Sequence, residues 1–154
     1  MMVLPVQAAR GISGDALDAE IAFWLTDRAP RVEWTFPPAL ERVLERSPGL
    51  GIRIHGLPVA VFRSVEVRRI GDPLFGDLRR LGALADARFA LIPVEASYEP
   101  TPAGAGRIEV AATLLDTRTG HVLWYGVVAG ASGAAGSPAV TASAARALAR
   151  TLFP

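Results

Sequence analysis

Residues 111–126, Ala-Ala-Thr-Leu-Leu-Asp-Thr-Arg-Thr-Gly-His-Val-Leu-Trp-Tyr-Gly, constrain the fold more than any other part of the chain. Ile108, Val110, Ala112 and Leu114 alternate with their neighbours up to Asp116, and Val122, Trp124 and Val128 return after the turn. Successive strand side chains point to opposite faces, so this spacing predicts two strands that share an apolar face. Thr117-Arg118-Thr119-Gly120 reads as a type I turn with glycine in the left-handed position, where a Cβ is penalised. A hairpin of this kind excludes a purely parallel sheet.

The rest of the chain supplies partners for that hairpin. Residues 89–94, Phe-Ala-Leu-Ile-Pro-Val, are apolar on both parities, as a central strand covered on both faces requires, with Pro93 where its missing N–H is tolerated. Residues 2–6 form a short buried strand. Val32, Trp34 and Phe36 alternate with Glu33 and Thr35 as another, closed by Pro37-Pro38. Four helices are expected. The first has Asp15 as N-cap and Leu17, Ile21, Trp24 and Leu25 on one stripe; the second opens at Pro38 and buries Leu40, Val43 and Leu44. Asp72-Pro73 opens the third over Leu74, Leu78, Leu81 and Ala85, and Ser137-Pro138 opens the fourth over Val140, Ala144, Ala147 and Leu148.

Residues 51–71 fit two periods. Ile52 and Ile54, Val59 and Val61, and Val65 and Val67 alternate, while Phe62 and Val65 also fit a helical stripe begun at Pro58. Residues 100–106 are a loop, and Gly130, Gly133 and Gly136 mark a flexible connector. The order is βαβα, an insert, then αβββα: one α/β domain over residues 1–154, with a mixed sheet of about five strands and helices packed on it.

Composition narrows the chemistry. All 16 basic residues are Arg, and Lys, Asn and Cys are absent, which removes a Schiff-base or P-loop lysine, a thiolate nucleophile, a disulfide and a Cys-ligated metal. The net charge of +1, with both signs interspersed, leaves no basic face for nucleic acid. No run approaches the roughly 18 to 20 apolar residues of a membrane helix. His55 and His121 stand alone, outside any metal-ligand spacing, and no Ser lies in a nucleophile elbow. No catalytic, cofactor or metal residue is therefore assigned. The remaining candidates are contact residues. Trp34 and Trp124 lie on the apolar parity of their strands and are expected in the core. Tyr125 lies on the other parity and is the first candidate to anchor a partner, with Arg68 and Arg69 of the insert next.

Residues 84–94 (Leu-Ala-Asp-Ala-Arg-Phe-Ala-Leu-Ile-Pro-Val), the hairpin of residues 114–124, the opening Val3-Leu4-Pro5-Val6 strand and the Ala-rich last helix together resemble the TolB amino-terminal-like superfamily. That superfamily includes curli-secretion channel lipoproteins and lipoprotein activators of peptidoglycan synthases. The resemblance implies a non-catalytic protein-binding module in the periplasm of a Gram-negative-type cell. Its partners would be other envelope proteins or copies of itself, and it would meet the outer membrane only through a lipid anchor. This chain has no Cys to carry a lipid, so the anchor that the resemblance implies either lies outside it or never existed, and the same holds for a signal peptide. A barrel strand needs about 9 to 11 alternating residues, and Pro58 with Arg68-Arg69 makes the insert a poor pore hairpin, so pore formation does not carry over. Two alternatives stand beside it: an oligomeric secretion or assembly component of the curli-channel type, and a small hydrolase or nucleotide-binding enzyme. The insert and residues 100–106 are the segments expected to meet a partner.

Overall fold

The computed structural model describes residues 1–63, 67–102 and 104–154. Its centre is the expected hairpin system. Strand β3 (Phe89–Pro100) pairs antiparallel with β4 (Gly106–Asp116), which pairs antiparallel with β5 (Val122–Ala129). Two short strands, β1 (Met2–Val3) and β2 (Ala9–Arg10), both run parallel to β3 and complete a five-stranded mixed sheet. Pro5 breaks this edge into two pieces. Leu4 N–H to Leu91 C=O, Gln7 N–H to Pro93 C=O and Ala96 N–H to Ala8 C=O hold the pieces on β3 across the break.

Helices α1 (Gly14–Arg28) and α4 (Pro138–Leu152) cover one face, where Leu17, Ile21, Leu25, Ala144 and Leu148 pack on Leu91, Val110 and Ala112. Helices α2 (Pro37–Glu45) and α3 (Leu74–Leu84) cover the other, with Leu40, Leu74, Leu78 and Leu81 against Ala90, Ile92 and Leu115. Ser13, not Asp15, caps α1, its Oγ accepting the Ala16 N–H. Serine in extended backbone leaves its oxygen free to turn onto the first turn, and Asp15 falls inside that turn. Asp72 Oδ1 accepts from Gly76 N–H, so this side chain holds the start of α3 while Pro73 flanks the helix.

Three regions depart from the pattern reading. Residues 32–36 make one rung only, Thr35 beside Met2, because β1 is two residues long and Pro37 ends the run; β2 is the fifth strand instead. Trp34 still goes inward, stacking on Phe36 and meeting the Phe153 ring edge-on. The insert is neither a hairpin nor an α-helix among its described residues. It forms a 3-10 turn at Val59–Arg63 and sends Ile52, Ile54, Leu57, Phe62 and Ile70 into the core beside α2 and α3. It covers the sheet rather than projecting from it; Val65, which belonged to both of its periods, lies outside the described residues. Gln7 ties it down, donating to Ile54 C=O and accepting from Leu57 N–H.

The third departure is the glycine connector, which is held in place. Gly133 exchanges two backbone hydrogen bonds with Gly106, and Tyr98 Oη donates to Gly133 C=O. A Cβ on Gly130 would sit 2.5 Å from Ser143 Oγ and 2.7 Å from Ala144 N, so that glycine serves close approach to α4, not freedom.

Candidate functional site

The β4–β5 turn sets the geometry of the exposed strand. Asp116 Oδ1 accepts from Arg118 N–H and Thr119 N–H, and Gly120 takes φ +73° to close the turn. Burial works to raise the Asp116 pKa, but the Arg88 guanidinium on Oδ2 at 2.9 Å and the two turn amides hold it below the ordinary carboxylate range. The Thr117 hydroxyl, buried, donates to the backbone carbonyls that end the α3–β3 connection, at Ala87 and Arg88. The turn is therefore fixed to the body of the protein.

From that anchor the register places β5. Trp124, Gly126 and Val128 face Leu114, Ala112 and Val110 on the helix-covered side, and the Trp124 ring lies over Gly126, where a Cβ would come within 2.6 Å of it. Tyr125 and Val127 face Thr113 and Ala111 on the other side. They are 45% and 58% exposed, and with Leu123 at 54% they form an uncharged stripe along one strand. Phe62 stacks on Tyr125 with ring centres 6.3 Å apart and planes 10° from parallel, which presets the phenol ring.

Arg68 and Arg69 lie at the same margin. Val122 N–H donates to Arg68 C=O, Arg69 pairs with His121 across a single antiparallel rung, and the Arg69 Nε–H donates to Thr119 C=O. Both arginines are exposed. The structure thus brings the three contact candidates onto one edge, while Trp34 and Trp124 pack with α1 and α4.

A second feature was not visible in the sequence. An open groove of about 710 Å³ between α1 and α2 is lined by Asp15, Asp18, Phe36, Pro37, Glu41 and His55. His55 Nε2 is 3.0 Å from Glu41 Oε1, and burial pushes the Asp18 pKa up to about 6 although Val6 N–H donates to its Oδ1. Such a pair can pass a proton, but no Ser, Thr or Tyr hydroxyl lines the groove among the described residues, and both His55 and Glu41 are at least half exposed to water. No group of three His, Asp or Glu able to hold a metal occurs among the described residues. The groove escaped the sequence reading because Asp18, Glu41 and His55 come from three separate segments.

No protein-family model matches the sequence, and no curated protein matches it. Solved structures do match by shape. A dodecamer of PelC from Paraburkholderia phytofirmans, carrying a single substitution, superposes with a TM-score of 0.53 at 15% identity, over 99% of this chain and 87% of that one. The chain shares that fold. The C-terminal domain of LpoB from Salmonella enterica aligns at TM-score 0.43 and 15% identity, covering 83% of this chain and 78% of its own. Lipoprotein GNA1162 from Neisseria meningitidis aligns at 0.42 and 20%, covering 88% and 81%. No helix among the described residues is long and apolar enough to cross a membrane.

Proposed function

We propose that residues 1–154 act as one non-catalytic protein-binding module of a bacterial cell envelope, joining other envelope proteins or copies of itself. The observation that carries this reading is the strand margin that holds Leu123, Tyr125 and Val127 in water, backed by Phe62 and edged by Arg68 and Arg69. Half-exposed aromatic and β-branched side chains on a rigid strand offer contact area at little entropic cost. The fold shared with PelC, which was solved as a dodecamer, supports self-association.

The experiment is photo-crosslinking in cells from a reactive amino acid at Tyr125, with one at Phe23 on the outer side of α1 as control, followed by fractionation. Cross-links from position 125 in the envelope fraction, to this chain or to envelope proteins, are expected. An uncross-linked protein in the cytoplasmic fraction would refute the reading. The α1–α2 groove favours a second reading, a small-molecule or nucleotide site around His55 and Asp18. A thermal-shift screen with nucleotides and small anions separates the two, since a ligand of the folded state raises Tm.

A further inference from the structure

We propose that β5 of one copy pairs antiparallel with β5 of a second copy, joining the two sheets across residues 124–128. The inference rests on the contact-surface reading above and names its occupant. Strand β5 ends the sheet, with β4 on one side only. The Gly130 N–H donates to Ile108 C=O, and this sets the alternation along the strand. Trp124, Gly126 and Val128 turn their backbone groups toward β4, so Tyr125, Val127 and Ala129 turn theirs away. Among the described residues these outward groups make no hydrogen bond, and the Arg68–Ile70 stretch meets the margin at residues 120–122.

Proteins keep such margins from pairing by placing charge or proline on them. From Val122 to Ala129 there is no Asp, Glu, Arg or Pro, and the one bulge, at Leu123, lies at the start of the strand and leaves residues 124–129 in regular register. The exposed stripe is also self-complementary. With the two-fold axis at Gly126, Tyr125 stands opposite the second copy's Val127 and the reverse, giving two aromatic–β-branched cross-strand pairs on one face. On the other face Trp124 stands opposite the second copy's Val128, and the paired glycines leave room for the indole rings that lie over them. Charge selects the antiparallel direction. It keeps the Arg68 and Arg69 pairs of the two copies at opposite ends of the seam, where a parallel seam would set them side by side.

The test is sedimentation of the full chain over a wide concentration range, with Val127→Arg as the disrupting variant and Phe23→Arg, on the outer side of α1, as control. A dimer is expected for the parent and the control, with Val127→Arg raising the dissociation constant by about 100-fold or more, because two arginines would be driven into one seam. Register is read by disulfides, since the parent has no cysteine. A mixture of Tyr125→Cys and Val127→Cys should cross-link, the pair being about 5.5 Å apart at Cα, while Val127→Cys alone should not. A dimer that Val127→Arg leaves intact, or Val127→Cys linking to itself as readily as the mixture, overturns the pairing. Monomers at every concentration overturn it too; if they still cross-link in cells from position 125 to another envelope protein, the contact-surface reading survives without it.

Discussion

Replacing Asp18 by Asn should stabilise the protein at neutral pH, and the gain should vanish in mild acid. Asp18 sits half-buried on α1, one Oδ1 held by the Val6 N–H, with Asp15 nearby raising its pKa and His55 lowering it. Burial is the largest influence, and it moves the carboxyl from 3.8 to about 6. The folded state therefore holds the proton more tightly than the unfolded chain does, and between those two values stability rises as pH falls. The full difference corresponds to about 3 kcal/mol at about 1.4 kcal/mol per pH unit, and water reaching the exposed part of the group reduces it to about 1–2 kcal/mol. Asparagine keeps an oxygen for Val6 and carries no charge, so Asp18→Asn should gain that amount at pH 7.5. The assay is urea unfolding of parent and variant from pH 7.5 down to about 4. The gap should be full above about 6 and close toward 3.8. A variant less stable than the parent at pH 7.5, or a gap that does not change with pH, would refute the reasoning.

Asp116 should behave with the opposite sign: its pKa is held down, so its contribution is present above the ordinary value of 3.8 and lost as pH falls below it. Asp116→Asn, which loses the ion pair to Arg88, should cost about 1–2 kcal/mol at pH 7 by urea unfolding and weaken the acid dependence. Thr117→Val keeps the volume but strips the hydroxyl from the Ala87 carbonyl, and should cost about 1–3 kcal/mol in the same assay. Gly82→Ala would set a Cβ 2.7 Å from both Ala87 O and Thr117 Oγ1; about 1–3 kcal/mol of destabilisation is expected, seen as a lower urea midpoint with unchanged slope.

The hairpin was legible because its information is local: Asp116, Gly120 and the period-two apolar residues all act within one short stretch. The helices were legible for the same reason, down to the inward faces of α1 and α3; on α4, Val140, Ala144 and Leu148 turn inward as expected, but Ala145 and Ala149, not Ala147, complete the face. What failed depended on neighbours distant in sequence. Val32, Trp34 and Phe36 have a strand's alternation, but a strand needs a ladder, and β1 offers a single rung. The insert's apolar residues fit two periods and follow neither, because an irregular segment buries whichever side chains face the sheet. The extra residue in β3 between Pro93 and Glu95 moved Ala96 and Tyr98 onto the α1–α4 side, which simple alternation from Leu91 does not give. Tyr125 could be assigned outward from parity alone, whereas its stacking on Phe62 and its place beside Arg68 required the folded chain.

The pairing of α1 with α4 has a consequence for the protein's birth. Leu17, Ile21 and Leu25 of α1 are completely or almost completely buried, much of that cover coming from a helix at the far end of the chain. About 110 residues separate Arg28 from Pro138, so at about 5–20 residues per second a ribosome leaves this apolar stripe without its mate for roughly 5–20 s. β1 waits for β3 through much of the same interval. A nascent chain in that condition is a ready client for holding chaperones, and it stays pliable until its last helix emerges.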